Sequence, residues 1–354
     1  MQHFLLSKPG DCPLRAALYY SLDNILIEDM PTPKISANEI LVRMQACGVC
    51  GSDLMEWYLK TRTPLVLGHE PSGVVTKVGS KVKGFEEGDR VFAHHHVACL
   101  TCYYCRRGSY TLCEQFAATR LEPGGFSEYF KVPAENLQTD TLHIPPAVSF
   151  EEATLVEPIG CCMRALKKCS VQASDSAVII GTGPSGIIFT KLLRIFGATQ
   201  IIATDFVDYR LKKAKDFGAD LTVNPETESL IDVVKKATEG RGADLVIVTA
   251  PNVNAYLAGV ELCRKGGTLC MFAPTQPQSF MRISPHKLFF SEINLAPSYS
   301  TSHLETRTAL KLIQTRRINV EELITHRFSL AKTREALQTA AKGRECIKVV
   351  VLNE

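Results

Sequence analysis

The sequence Ala177-Val178-Ile179-Ile180-Gly181-Thr182-Gly183-Pro184-Ser185-Gly186 joins a short apolar strand pattern to a glycine-rich turn. A helical stripe of apolar residues follows over 184–196, and a second strand pattern lies at 201–205. In this setting Gly181 permits a tight turn, Gly183 lets the backbone approach a pyrophosphate, and Gly186 allows the helix to pack closely on the strand. The first N–H groups of the helix point at the phosphates, where the helix dipole favours negative charge. We therefore predict that residues 181–186 bind a dinucleotide.

The acidic residue at the end of the second strand indicates which dinucleotide binds. Asp205 follows Gly181 by 24 residues, a position where a carboxylate accepts hydrogen bonds from ribose hydroxyls and repels a 2′-phosphate. NAD is therefore favoured over NADP, although Arg210 lies close enough in sequence to favour a phosphate. The alternative is a structural glycine turn beside a surface aspartate.

The remaining sequence contains two different patterns of predicted secondary structure. Residues 1 to about 155 contain short strand-like runs separated by Gly, Pro and Asp, which favours a barrel of short strands. Between about 156 and 298, strand and helix patterns alternate, which favours a parallel sheet covered on both faces. From about 299 the pattern returns to helix and then to a final strand near 346–352. The sequence thus predicts an α/β protein of two domains, as its 354 residues also suggest.

Composition excludes several classes of function. Forty Lys and Arg residues face 37 Asp and Glu residues, a formal net charge of +3, so there is no polybasic surface for nucleic acid. The apolar runs fall far short of the roughly 20 residues that span a bilayer. Residues 1–8 lack the basic and apolar regions of a signal peptide. We expect a cytoplasmic protein without a nucleic-acid or membrane partner, acting on a small molecule.

Four cysteines form a compact motif in a lobe at about 95–115. Cys99, Cys102, Cys105 and Cys113 have the spacing C-x2-C-x2-C-x7-C. Four thiolates hold zinc tetrahedrally and leave no position for water or substrate, so such a site is structural. A nucleic-acid zinc knuckle, free thiols and an iron–sulfur cluster are the alternatives. The near-neutral charge argues against the knuckle, and the spacing favours zinc.

A second group of metal ligands is spread over the first half of the chain. Cys47 and Cys50 precede His69 and Glu70, and Glu157 stands just before the nucleotide-binding half. A catalytic zinc needs about three protein ligands and an open position. One cysteine, one histidine and one glutamate from this group would meet that need.

These motifs together resemble the zinc-containing medium-chain dehydrogenases/reductases, the group of alcohol, sorbitol and threonine dehydrogenases. The shared motifs, in family order, are CGxCGSD at 47–53, GHE at 68–70, GDRV at 88–91, the four-cysteine lobe, GxGxxG and the distal Asp. The resemblance covers nearly the whole chain. It implies a GroES-like barrel domain (1–155 and 299–354), interrupted by a Rossmann domain (156–298), with the active site in the cleft between them. It also implies a homo-oligomer, either dimer or tetramer.

The resemblance further implies the ligands of the catalytic zinc. Cys50 matches the family cysteine, which leaves Cys47 as a neighbouring buried thiol, and His69 is the second ligand. Glu70 and Glu157 remain to be divided between direct ligation and an outer role. Glu157 is followed by Pro158, and sorbitol dehydrogenases carry this Glu-Pro pair where many alcohol dehydrogenases have a cysteine ligand. The pattern is therefore most similar to that of polyol dehydrogenases.

Catalytic roles are implied in the same way. Ser52 matches the hydroxyl that begins proton removal from the alcohol, Asp53 orients His69, and Glu70 can exchange onto the metal. Many relatives have a histidine where this chain has Met55, which cannot relay a proton. One of the histidines at 94–96 could supply an acid–base group or a substrate contact instead.

The predicted activity is hydride transfer between a secondary alcohol and NAD, with one catalytic and one structural zinc per chain. A polyol or sugar alcohol is the favoured substrate. A threonine-type amino alcohol is the alternative, followed by a zinc-free reductase and by a non-enzymatic relative that keeps only the fold. The intact ligand set argues against the last two.

Overall fold

The computed structural model describes residues 13–353, and contacts divide the chain into two compact units. The first unit runs to Glu157 and also includes Asn319–Lys342 and the chain from Lys348 onward. The second unit consists of Pro158–Ile318 and Gly343–Ile347. Residues 1–8, where no signal peptide is predicted, lie outside the described residues. Within 13–353, each helix is too short or too polar to cross a membrane.

The alternation of strands and helices predicted for about 156–298 is found from residue 176 onward, whereas several strands follow one another directly within 13–93. The strands are β1 (Pro13–Ser21), β2 (Asn24–Pro31), β3 (Ile40–Gly48), β4 (Leu65–Val66), β5 (Glu70–Val78), β6 (Arg90–Ala93), β7 (Tyr129–Val132), β8 (Thr141–His143), β9 (Ser176–Ile180), β10 (Gln200–Thr204), β11 (Leu221–Val223), β12 (Ala243–Val248), β13 (Cys263–Met271), β14 (Asn294–Pro297), β15 (Ile324–Ser329) and β16 (Lys348–Leu352). The helices are α1 (Glu56–Leu59), α2 (Glu114–Ala118), α3 (Ala134–Asp140), α4 (Phe150–Ala153), α5 (Val156–Lys168), α6 (Pro184–Phe196), α7 (Asp208–Asp216), α8 (Leu230–Ala237), α9 (Val253–Leu262), α10 (Pro285–Ser291), α11 (His303–Gln314) and α12 (Thr333–Lys342). Short 3-10 segments lie at Gly51–Leu54, Cys105–Arg107, Tyr110–Leu112, Glu321–Leu323 and Leu330–Lys332.

The first unit is built around β3, which pairs with β5, β7 and β16 in a sheet of order β15-β16-β3-β5-β6-β8. The antiparallel register places Gly48 opposite Glu70, and Gly48 also lies opposite Val350 of β16. Cys50 follows β3 and His69 precedes β5, so the register brings both to the same end of the sheet. A smaller sheet of order β2-β1-β4 completes the strands described in this unit.

The second unit contains a parallel sheet of order β11-β10-β9-β12-β13-β14. Its central strands are almost entirely buried, as expected for a sheet with helices on both faces. The strand order reverses between β9 and β12, the switch point at which ligands bind in open parallel sheets. The prediction of a doubly wound parallel sheet is therefore confirmed.

The glycine-rich turn connects β9 to α6 as predicted. Gly181 has φ +98°, a conformation that favours glycine. A Cβ atom on Gly186 would lie 2.1 Å from the carbonyl oxygen of Gly181, so this glycine allows the helix to begin close against the strand.

Residues 299–318 belong to the second unit by their contacts, whereas the sequence predicts them in the first domain. The physical reason is their packing on α5. Lys167 Nζ donates to Glu305 Oε1 at 2.8 Å, and a Cβ atom on Gly160 would lie 2.5 Å from Thr301 Oγ1. The chain returns to the first unit at Asn319.

Candidate functional site

Three predicted ligands converge at the end of the β3–β5 pair. Cys50, His69 and Glu70 each bring one ligand atom to a cluster in which these atoms lie within 4.8 Å of one another. Their chemistry is a thiolate, an imidazole and a carboxylate, which are the three ligand types of protein zinc sites. In addition, Glu70 Oε1 is buried and has no hydrogen-bond partner among residues 13–353. This donor set fits a zinc ion.

Asp53 orients the histidine of this cluster. One oxygen of its buried carboxylate lies 3.3 Å from His69 Nδ1, and the other accepts the backbone N–H of Cys50 at 2.9 Å. An imidazole held through Nδ1 by a carboxylate presents Nε2 to a metal. Ser52 is half-buried in the 3-10 segment that carries Asp53 directly after Cys50. The structure thus brings Asp53 to the cluster, and Ser52 precedes it in the same 3-10 segment.

A buried ion pair anchors the other glutamate oxygen. Lys348 Nζ donates to Glu70 Oε2, and it also donates to the carbonyl oxygen of Val49 at 2.9 Å. Both side chains are almost inaccessible, at 2% and 0% exposure. Burial lowers the pKa of Lys348, but the charges of Glu70, Cys50 and Glu157 and the hydrogen bond to Glu70 together outweigh it and raise that pKa above its ordinary value. Lys348 is therefore held as a cation beside the ligand cluster.

Gly48 provides the space for this pair. A Cβ atom at this position would lie 1.9 Å from Glu70 Oε2 and 3.0 Å from Lys348 Cε. No motif in the sequence points to Lys348. Its signal was a single lysine in the otherwise apolar run 347–352, a residue type that is seldom fully buried without a partner.

Glu157 lies in a second group, with His94 and His95, whose ligand atoms are again within 4.8 Å of one another. The two groups adjoin, because the His95 ring centroid is 4.8 Å from that of His69. Burial lowers the pKa of His95 well below its ordinary value, and the neighbouring histidines His96, His69 and His94 lower it further. The imidazole of His95 is therefore neutral near pH 7.

The four predicted lobe cysteines also converge. Cys102 Sγ lies 3.5 Å from Cys105 Sγ, and Cys99 Sγ lies 4.0 Å from it. A tetrahedron with zinc–sulfur distances of about 2.3 Å has sulfur–sulfur edges of about 3.8 Å. Backbone N–H groups of Cys102 and Cys99 donate at 3.4 Å to the sulfurs of Cys99 and Cys113. The cluster has the dimensions of a closed zinc site.

The predicted dinucleotide contacts meet at the switch point of the parallel sheet. Asp205 accepts the backbone N–H of Thr182 at 2.8 Å with one carboxylate oxygen and that of Val207 at 3.0 Å with the other. Arg210 Nη1 lies 3.9 Å from the first oxygen. Each carboxylate oxygen has a further lone pair, so Asp205 can still accept hydrogen bonds from a ligand.

The glycine-rich turn leads into the first turn of α6, whose backbone N–H groups are suited to bind a phosphate. Gly183 is the N-cap of α6, Pro184 is the first helical residue, and Ser185 and Gly186 follow in the first turn. The N–H groups of a first helical turn have no partners within the helix. Among the residues that the structure describes, a Cβ atom on Gly183 would meet only Arg210 Nη1, at 4.0 Å. The space beside this backbone is therefore open to a ligand.

Two family models match the chain. The model of the alcohol dehydrogenase GroES-like domain matches residues 36–144, and the zinc-binding dehydrogenase model matches residues 184–315. The chain is 32% identical to the sorbitol dehydrogenase of Bacillus subtilis (strain 168), over 96% of this chain and 97% of that protein. It is 31% identical to the L-threonine 3-dehydrogenase of Bacillus velezensis, over 92% and 94% of the two chains.

A similar solved structure is that of a short chain alcohol dehydrogenase from E. coli CFT073 complexed with cofactor NADH. The two chains are 26% identical, with a TM-score of 0.86 over 97% of this chain and 100% of that one. The predicted resemblance to zinc-containing dehydrogenases is confirmed, and so is the combination of GroES-like and Rossmann domains.

We expect Lys348→Met to lower the free energy of unfolding of the first unit by about 3–5 kcal/mol, because it leaves the Glu70 carboxylate buried without its counter-ion. Urea unfolding of the zinc-loaded protein would measure this through fluorescence. Trp57, the only tryptophan, lies in the first unit and reports on it.

Arg15→Met is the matched control, since Arg15 forms an ion pair with Glu128 in the same unit but is 51% exposed. An exposed pair contributes at most about 1 kcal/mol. If Lys348→Met lowers the free energy of unfolding no more than Arg15→Met does, the buried ion pair does not stabilise the unit more than an exposed one, and the prediction is wrong.

Proposed function

Because the chain belongs to the zinc-binding dehydrogenase family with an alcohol dehydrogenase GroES-like domain, we propose that it oxidises a secondary alcohol of a polyol. It is a zinc-dependent oxidoreductase linked to a nicotinamide dinucleotide. The observation that carries the polyol proposal is Glu157 beside the Cys50–His69–Glu70 cluster. The similarity to a sorbitol dehydrogenase over 96% of the chain supports it.

We propose two zinc sites in this chain. Cys50, His69 and one or both of Glu70 and Glu157 would hold the catalytic ion, and the four lobe cysteines would hold the structural one. Cys47 is left out of the first set in this proposal because Cys50 is the cysteine whose ligand atom lies within 4.8 Å of those of His69 and Glu70. Zinc in the catalytic site supplies Lewis-acid stabilisation of negative charge that develops on the substrate oxygen.

The surrounding residues then have separate tasks. Asp53 keeps His69 Nε2 directed at the ion, and Lys348 holds one oxygen of Glu70. Ser52 would accept the proton of the substrate hydroxyl and pass on its own, and a bound nicotinamide dinucleotide would supply the acceptor for the hydride. Met55 has no group that could carry the proton further, so water or a ribose hydroxyl receives it.

We propose NAD as the cofactor. The N-terminus of α6 would bind the pyrophosphate through Gly183 and the residues after it. Asp205 would accept the ribose hydroxyls, and its charge would repel a 2′-phosphate. Arg210 opposes this preference, because its positive charge would attract a 2′-phosphate. Its guanidinium lies 3.9 Å from the Asp205 carboxylate, however, and the negative charge of Asp205 partly offsets that attraction.

A threonine-type amino alcohol is the second candidate substrate. It is favoured by the similarity to an L-threonine 3-dehydrogenase, which nearly equals that to the sorbitol dehydrogenase. We also propose that the protein is cytoplasmic and assembles into a homo-oligomer.

The metal assignment predicts a pattern of zinc contents. The purified protein should hold about two zinc ions per chain, and Cys50→Ser and Cys113→Ser should each hold about one. Cys47→Ser, a buried cysteine three residues from Cys50, is the matched control and should keep both. Plasma emission spectrometry of dialysed proteins measures this. Loss of one zinc from Cys47→Ser, with none lost from Cys50→Ser, would reverse the assignment.

The substrate assignment predicts the outcome of an activity panel. We expect the zinc-loaded enzyme to form NADH faster from sugar alcohols and vicinal diols than from simple secondary alcohols or threonine. We also expect kcat/KM to be higher with NAD than with NADP, by about tenfold or more for a 2′-phosphate facing a carboxylate. A preference for threonine would establish the second candidate, and no oxidation of any alcohol would refute both.

The edge of the parallel sheet predicts where copies associate. β14 is an edge strand, and the preceding α10 exposes Phe289 and Phe290 at 76% and 66%. Exposed edges and apolar patches favour association. We expect Phe290→Asp to reduce the mass found by sedimentation equilibrium, while Ile231→Asp, an exposed apolar residue on α8, leaves it unchanged. A monomeric wild-type protein would contradict the proposed oligomer.

A further inference from the structure

The buried ammonium group of Lys348 is held by two acceptors on different segments of the chain. Its Nζ donates to the carbonyl oxygen of Val49 at 2.9 Å and to Glu70 Oε2. The backbone beside it is also tied, because the N–H of Val49 donates to the carbonyl oxygen of Val349 at 3.0 Å. The ammonium group is therefore fixed at the end of β3, and it fixes the position of Glu70 Oε2.

The two carboxylate oxygens of Glu70 have different surroundings. Oε2 bonds to Lys348, and the backbone of β3 packs against it, since a Cβ atom on Gly48 would lie 1.9 Å away. Oε1 is buried and has no hydrogen-bond partner within the described part of the chain. Glu70 also belongs to the ligand cluster with Cys50 and His69. The carboxylate can thus offer Oε1 to a metal, but it cannot offer both oxygens without breaking the buried ion pair.

The number of oxygens that Glu70 offers decides whether the cluster is closed. A carboxylate can bind a metal through one oxygen or through both. With both, Glu70, Cys50 and His69 would supply four ligand atoms, which is the number in a closed structural zinc site. With one, they supply three and leave the open position that a catalytic zinc needs.

We propose that Lys348 is a positioning residue, which limits Glu70 to one metal-ligand atom and so keeps a coordination position open for the substrate oxygen. This inference rests on the proposed zinc site of Cys50, His69 and Glu70, and it deepens that proposal. It differs from a purely structural role, because it concerns the number of ligands at the metal and not only the stability of the unit.

The experiment titrates imidazole into the cobalt-substituted protein. Cobalt can replace zinc, and its visible absorption reports the number and type of its ligands. Imidazole binds to an open position, and because it is neutral, loss of the lysine charge does not by itself repel or attract it. We expect its Kd to rise about tenfold or more in Lys348→Met, which is the usual effect of losing a residue that orients a metal ligand.

The four lobe cysteines do not disturb this measurement. A closed site does not bind imidazole, so the absorption of cobalt in the lobe cancels in the difference between spectra with and without imidazole. Lys348→Arg keeps a cation with N–H donors and should keep a Kd close to that of the wild type. Arg15→Met, which breaks an exposed ion pair in the same unit, is the control and should leave the Kd unchanged.

A measurement on the wild type covers the case in which Lys348→Met does not fold. Among residues 13–353, Lys348 is the only buried lysine, so its ammonium protons should be the ones that exchange slowly with water. In NMR spectra of protein with ¹⁵N-labelled lysine, we expect this protected signal both before and after zinc is added. Its loss on zinc loading would show that Glu70 Oε2 has left the lysine for the metal, which overturns the inference.

The outcomes separate this inference from the proposed function. If the wild type holds two metal ions and oxidises alcohols but Lys348→Met binds imidazole as tightly, Lys348 has only a structural role and the proposed function stands. A wild-type cobalt spectrum that does not respond to imidazole would likewise overturn the inference alone. A wild type that holds one metal ion per chain, in the lobe, would overturn the proposed catalytic zinc and this inference with it.

Discussion

The antiparallel register of β3 against β5 is the constraint on which the cluster of Cys50, His69 and Glu70 depends. It places Gly48 opposite Glu70, so that Cys50 and His69 emerge at the same end of the sheet. β16 pairs with the other edge of β3 and brings Lys348 to the Glu70 carboxylate. A shift by one residue would turn every side chain of β5 to the opposite face. The ion pair and the ligand cluster would then be lost together.

The sequence was most informative where function requires particular residues close together in the chain. The glycines of 181–186 and the four lobe cysteines each lie within one short segment, and the structure has the glycines in the turn between β9 and α6 and the four cysteines in one cluster. α6 matches its predicted limits of 184 and 196, because its apolar stripe begins at a proline and ends before Gly197. Local rules of this kind need no knowledge of distant contacts.

Contacts between distant segments were not predictable in the same way. Lys348 pairs with Glu70 across 278 residues, and its sequence shows only an unexpected charge in an apolar strand. The three histidines at 94–96 look equivalent in the sequence, and only tertiary packing distinguishes the buried His94 from the accessible His95. The position of 299–318 was likewise set by contacts with α5, which no periodicity in that segment reveals.

The two ligand clusters also differ in when they can form during synthesis of the chain. The lobe cysteines lie within residues 99–113, so they leave the ribosome almost together and can capture an ion early. The cluster around Glu70 needs Lys348, and a nascent chain that has not yet reached this residue contains a carboxylate that cannot be buried at low cost. β3 and β5 can pair before then, but their end of the sheet stays open to water. On the proposed assignment, late arrival of one lysine would thus make the cluster around Glu70 the second of the two to be completed.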